Sequence, residues 1–485
     1  MKRQINTIII VALTCFGLSC ETYVEDLNID PNNATDAPAE YILTGAQVTN
    51  MYNFHMDRMG IIASMWSGQL TGIDRQYLSY QNYQYSPVET SGNWTDLYQK
   101  VYIQLEISKK KFDIINNRLG TGIAKIIQSH SIGTAAAIYG DIPFSQAGAP
   151  EEYPNPVFDD QEDVYSNIQV LLSSGISDLE SGIGSLPGGT DIYFDGDRVK
   201  WIEVAHTLKA RFYLETGDYE QAYAEAEMGI SALSNSLMSK HTPISGMRNG
   251  LYTHQVNDRV GDVNAMGSNL SMLLNPEDST YRGNAKTDET ARFNYYFVNL
   301  GDNGITGEIE PNYLSTSMGD SFNGFIAIDA AFPLVSYQEN ILILAEAAAR
   351  VKGFDVALDH LNDFRSFMNN GGYMDATYIE EFPLKYDPYN IVDFQAAGIN
   401  NQNGNSMEEA LLTEILEERY VTFFMQIIAF NDVRRTRGET AGIKLQPETG
   451  DKLPELLFWG ESDINSNVNT PPLPSIFDPT PINLH

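Results

Sequence analysis

The sequence predicts a mostly α-helical protein in which tetratricopeptide-like helix pairs form a scaffold split by long irregular insertions. Three observations predict it. The stretch WIEVAHTLKARFYLETGDYEQAYAEAEMGI, residues 201–230, reads as a helix, a turn and a second helix, with Gly217, Tyr219 and Ala222 at the spacing of a tetratricopeptide turn. A second such unit, residues 338–369, places Gly353, Phe354 and Ala357 in nearly the same relation. Between and after them, residues 240–335 and 370–406 are rich in Asn, Gly, Ser and Asp and lose all helical period. Helix pairs of this kind bury their apolar faces only by stacking, so helices expected at 99–117, 124–139 and 161–181 extend the scaffold.

Taken in chain order, the first nineteen residues read as a lipoprotein signal peptide. Lys2 and Arg3 are followed by an apolar run, Ile8 to Leu18, that is too short to span a bilayer. Both cysteines, Cys15 and Cys20, fall before residue 21. Cleavage before Cys20 would leave it as the lipidated residue, with 20–40 as a tether and 41–485 as one folded unit. The stretch after Cys20 holds no cysteine, which excludes disulfides and thiolate metal sites there. Helical periodicity runs from Ile42 to about Leu70 and breaks over 72–94, which has the Gly, Ser, Asn, Asp and Pro content of a loop. An amphipathic stretch begins at Glu408, with Leu411, Leu412, Ile415, Leu416 and Phe423 on one stripe. The Pro-rich end, TPPLPSIFDPTPIN, is expected to lie extended over the surface.

The 485 residues carry 64 acidic and 30 basic side chains, a formal net charge of −34. Phosphate backbones need Lys and Arg to displace their counterions, so nucleic acid is excluded as a partner. An electrostatic grip on anionic lipid is disfavoured for the same reason. The seven histidines are scattered and no His-Glu-x-x-His, Gly-x-Ser-x-Gly or Walker-type loop occurs, so neither a cofactor nor an enzymatic reaction is predicted.

Sugar rings need flat apolar faces for their C–H surfaces and fixed polar groups for their hydroxyls. The 72–94 stretch supplies both in sequence: Tyr77, Tyr80, Tyr83 and Tyr85 as stacking rings, with Asp74, Arg75, Gln76 and Asn82 as polar partners. Trp66 and Trp94 flank it and complete the candidate set, although helical spacing also suits both as packing residues. Trp201 is read as structural. Asp191, Asp195 and Asp197 are read as a capped turn before Trp201 in preference to a calcium loop, whose ligand spacing they do not match.

Several stretches in order carry a resemblance: DLNIDPNNATDAPAEYILTGA after Cys20, YGDIPFSQA at 139–147, FDDQEDVYSNIQVLLSSGISDL at 158–179, YFDGDRVKWIEVAHTLKARFYL at 193–214, NDVRRTRG at 431–438 and ESDINSNVN at 461–469. In these the chain resembles the SusD/RagB-like outer-membrane lipoproteins of Bacteroidetes. Trp459-Gly460 stands where that family commonly has Tyr-Pro, and Gly17 where its leader has a larger apolar residue. The resemblance implies a SusD-like helical fold and a cell-surface protein that captures oligosaccharide or polysaccharide. It also implies a partner, a SusC-like TonB-dependent transporter, to which cargo is passed without catalysis. Capture of peptide on the same fold is the alternative; the tyrosine-rich stretch favours sugar.

Overall fold

A computed structural model describes residues 37–299 and 308–483. The leader, Cys20 and most of the tether lie outside the described residues.

Eleven of the described helices form the scaffold and one, α3, lies in the 72–94 insertion: α1 Ala39–Asn53, α2 Arg58–Trp66, α3 Arg75–Gln81, α4 Ile103–Ile114, α5 Arg118–Tyr139, α6 Gln161–Glu180, α7 Arg198–Glu215, α8 Tyr219–Ala226, α9 Tyr337–Val351, α10 Phe354–Asn369, α11 Met407–Thr422 and α12 Ile427–Arg435. The two predicted units are the pairs α7/α8 and α9/α10. Gly217 at φ 77° and Gly353 at φ 93° occupy the left-handed region at the two turns, where a side chain would be strained. Ala222 and Ala357 are fully buried, so their small side chains let the paired helices close on each other. The periodic run from Ile42 proves to be two helices broken at 54–57, and the amphipathic stretch from Glu408 breaks at 423–426 between α11 and α12.

Buried ion pairs lock the scaffold. Glu346 of α9 accepts from both terminal guanidinium nitrogens of Arg435, at 2.6 and 2.5 Å, and Asp432 accepts from Arg419 at 2.9 Å. Burial alone would raise the Glu346 carboxyl, but Arg435, Arg350 and Arg419 outweigh it and hold it well below the usual range. Arg434 donates to the carbonyl of Ala137 at 2.8 Å and to Glu455, so the NDVRRTRG stretch ties α12 to α5 and to the C-terminal segment. The Asp191 carboxylate is buried and accepts from Trp201 Nε1 at 2.8 Å and from the Gly196 amide at 2.9 Å. Asp197 caps α7. This turn is structural, as the spacing predicts.

Among the described residues, four two-stranded antiparallel ribbons organise the insertions, with eight short strands: β1 Thr71–Gly72, β2 Leu237–Met238, β3 Val263–Asn264, β4 Thr287–Asp288, β5 Phe297–Asn299, β6 Ile309–Pro311, β7 Pro333–Val335 and β8 Lys385–Tyr386. β2 pairs β7, so the long insertion is a closed excursion that returns to its own starting point. β1 pairs β3 and β4 pairs β8, which joins the 72–94 and 370–406 segments to the long insertion. Three insertions distant in sequence therefore knit into one body beside the scaffold.

Candidate functional site

The 72–94 segment corrects the expectation of a ring-lined loop. Asp74 caps α3 by accepting from the Arg75 amide at 2.8 Å, and most of the segment is helical, with a further turn at 91–95. Tyr77 and Tyr80 lie three apart on that helix and Tyr83 and Tyr85 follow its end, so the alternation of an extended chain, which would put Tyr77, Tyr83 and Tyr85 on one side, does not hold. Tyr77, Tyr80, Trp66 and Trp94 are 1–3 % exposed. Trp66 donates to the carbonyl of Tyr80 at 3.0 Å and meets Tyr85 edge-on at 5.3 Å; Tyr85 in turn stacks on Phe458. Tyr80 donates to Glu89 at 2.5 Å, and Trp94 donates to Asp463 at 2.5 Å with its ring against Phe158 and the backbone of Gly460. These rings are held on most sides by protein; Trp94 borders a depression of about 250 Å³, and Trp66, with Tyr83, borders another. Arg75 is held by Asp262 and the carbonyl of Val260, and Asn82, exposed, donates to the carbonyl of Leu78. Gln76 is half-buried. Tyr83 stays half-buried, its hydroxyl accepting from the Glu448 amide at 3.0 Å at the edge of a depression of about 210 Å³.

A larger cavity, of about 420 Å³, opens where the long insertion returns to the scaffold. Its wall is assembled from five segments: Met238 of β2, Tyr295 of the short helix Thr290–Tyr296, residues 323–333 leading into β7, Tyr373 to Asp375 after α10, and Thr422 and Gln426 at the α11–α12 break. Gln338, in the first turn of α9, closes the floor. The capping box between Ser336 and Glu339 fixes that turn, and Arg211 clamps Glu339 at 2.5 and 2.7 Å.

The chemistry of the wall is mixed in the way saccharides require. Tyr295 packs edge-on against Phe325 at 5.8 Å and Tyr378 at 5.4 Å, which fixes the plane of its ring. Tyr373 shares a 2.7 Å hydrogen bond with Tyr296. Burial pushes both the Tyr295 and the Tyr373 phenols up, so each keeps its proton at neutral pH. Asn323 accepts from Thr316, and Asp375 caps the helix Ala376–Glu381 through Thr377. Asp329 is held by the hydroxyl of Ser317 at 2.5 Å. Gln338 is 3 % exposed and its Oε1 has no hydrogen-bond partner. Small residues line it as well, Gly324, Ala327, Ala330 and Ala331 in the stretch GFIAIDAAF, and Gly324 lets the backbone approach Asn312 closely.

None of the candidate binding residues named from the sequence lines this cavity. The available signal was the run of Gly and Ala between aromatic residues at 324–332, in a segment with no helical period. Among the described residues no group of three or more His, Cys, Asp or Glu is placed to hold a metal ion, and no helix is long and apolar enough to cross a membrane.

The architecture defines a class of helical binding scaffolds with a cavity built on insertions, and comparison with known proteins places the chain within it. A family model described as SusD-like, "Starch-binding associating with outer membrane", matches residues 31–437, and the chain belongs to that family. Among solved structures, a SusD/RagB family protein from Bacteroides thetaiotaomicron is 19 % identical with a TM-score of 0.63, over 90 % of this chain and 95 % of that one. A chitin-binding protein is 17 % identical with a TM-score of 0.64, over 88 % and 94 % of the two chains. A SusD homologue from Bacteroides uniformis is 18 % identical with a TM-score of 0.62, over 90 % and 99 %. No curated protein matches the sequence.

Proposed function

We propose that this chain is a cell-surface lipoprotein, anchored through Cys20, that captures oligosaccharide or polysaccharide in the 420 Å³ cavity and hands it to a TonB-dependent transporter without altering it. One observation carries the reading: fixed aromatic rings and hydrogen-bonding amides and carboxylates converge on a single opening of ligand size. Membership of a starch-binding, outer-membrane-associated family supports it, as does the chitin-binding neighbour of the same fold. The test is calorimetric titration of the chain with an array of oligosaccharides, repeated with Tyr295→Ala and Tyr373→Ala. Saturable binding that weakens in both variants, with no product after long incubation, is the expected result. Product formation would move the assignment to an enzyme. For the anchor, Cys20→Ala is expected to release the protein from membranes, read by fractionation.

Peptide capture is the second reading, favoured by a separate groove of about 610 Å³ between α8, α9 and α10. Glu227, Asp363, His360 and Asn370 line it and offer the charge and amide chemistry a peptide backbone needs. Binding of peptides alone in the same array, abolished by Asp363→Ala and unaffected by Tyr295→Ala, would favour it.

A further inference from the structure

The cavity is rich in hydrogen-bond acceptors and lacks a cation. Gln338 Oε1 is enclosed in its floor without a partner, and the carboxylates of Asp329 and Asp375 stand in its wall. The Asp375 Oδ1 accepts from the Thr377 amide and hydroxyl at 3.0 and 2.6 Å, whereas its Oδ2 has only Asn323 Nδ2, at 3.5 Å. That oxygen keeps most of its accepting capacity. Among the described residues no Lys, Arg or His lines the cavity, and the whole chain carries −34.

An enclosed acceptor without a donor is costly, so the matching ligand must donate. A neutral sugar hydroxyl does so. A protonated sugar amine does more, because it has three donors, no acceptor and a charge opposite to that of the wall. A uronate or a sulfated sugar would bring like charge against two carboxylates with no cation to relieve it. We infer that the site selects saccharides by charge, preferring those that carry a free primary amine to their neutral counterparts and rejecting anionic glycans. This inference rests on the cavity being the saccharide site.

The carboxylates are partly open to solvent, so the amine preference is modest, about fivefold over the N-acetylated oligomer of the same length. It is also sensitive to salt. The experiment titrates the full chain with a glucosamine hexamer, the N-acetylglucosamine hexamer, a cellulose-derived hexamer and oligogalacturonate, at about pH 6 so that the amine is protonated. Each titration is repeated at about 1 M salt, where the Debye length falls to about 3 Å. Asn in place of Asp375 still caps its helix, so Asp375→Asn and Asp329→Asn remove charge with little change of shape. The expected result is an amine-to-N-acetyl affinity ratio near five that falls toward one in high salt and in either variant, with no binding of oligogalacturonate. Gln338→Leu is expected to weaken every saccharide that binds. Equal binding of the amine and N-acetyl hexamers, or binding of oligogalacturonate, would overturn the charge selection and leave sugar capture standing. Failure of every saccharide to bind would overturn both.

Discussion

Two regions of this molecule are rich in aromatic residues and put them to opposite uses. Around 66–94, Trp66, Tyr77, Tyr80, Tyr85 and Trp94 touch one another or neighbouring rings, and all but the partly buried Tyr85 are buried. Around 295–375, Tyr295, Phe325 and Tyr373 contact rings as closely, yet they border a cavity. The difference lies in what separates the rings. Bulky residues and a capped helix pack most of the first region, whereas Ala327, Ala330 and Ala331 present small side chains to the cavity in the second. The abundance of aromatic residues therefore signals packing and binding alike, and small residues set between the rings tell the two apart.

The sharpest way to break this comparison is Trp66→Ala. Removing a buried ring of that size from a filled region should cost about 3–5 kcal/mol of stability, measured by denaturant unfolding, while the folded fraction keeps its saccharide affinity. A loss of affinity without loss of stability would return the binding role to the 66–94 region. Tyr295→Ala should behave in reverse, with affinity falling about tenfold as a stacking face is lost and stability falling less than for Trp66→Ala.

Acid should separate the regions as well. His254 meets Tyr77 edge-on, and burial, together with Arg259 and Arg58, lowers its pKa to about 4. His55 is lowered to about 3 by burial and by Arg211. Between about pH 6.5 and these values the unfolded chain takes up protons that the folded chain refuses, so stability is complete above about 6.5 and declines as pH falls through that window. Thermal melts from pH 8 to 4 should show the decline, and His254→Gln should reduce it. No histidine lines the cavity among the described residues, so affinity for a neutral saccharide between about pH 8 and 6 should carry no matching step. The smallest effect is expected from Tyr83→Phe, which removes the acceptor for the Glu448 amide. It should cost about 1 kcal/mol in unfolding and nothing in saccharide affinity.

The helix pairs were legible in the sequence because their determinants are local. Gly217 and Gly353 had to lie at turns, Ala222 and Ala357 at close approaches, and Trp201 on a buried helix face. The 72–94 segment was misread because its loop-like composition concealed one strong local signal, Asp74 capping a short helix. The cavity was not legible, since its wall draws on residues from Met238 to Gln426 that meet only through β2–β7 and the α11–α12 break. Pairings of two or three residues are too short to leave a periodic trace in the chain.

What the sequence determined by itself is the helical scaffold, its family resemblance and its acidity, because each follows from local pattern or from composition. Tertiary structure alone decided which rings are buried and which border open space. That outcome depends on the packing of side chains from distant segments, and a ring's exposure is set by its neighbours in space, which neither its own identity nor its adjacent residues specify.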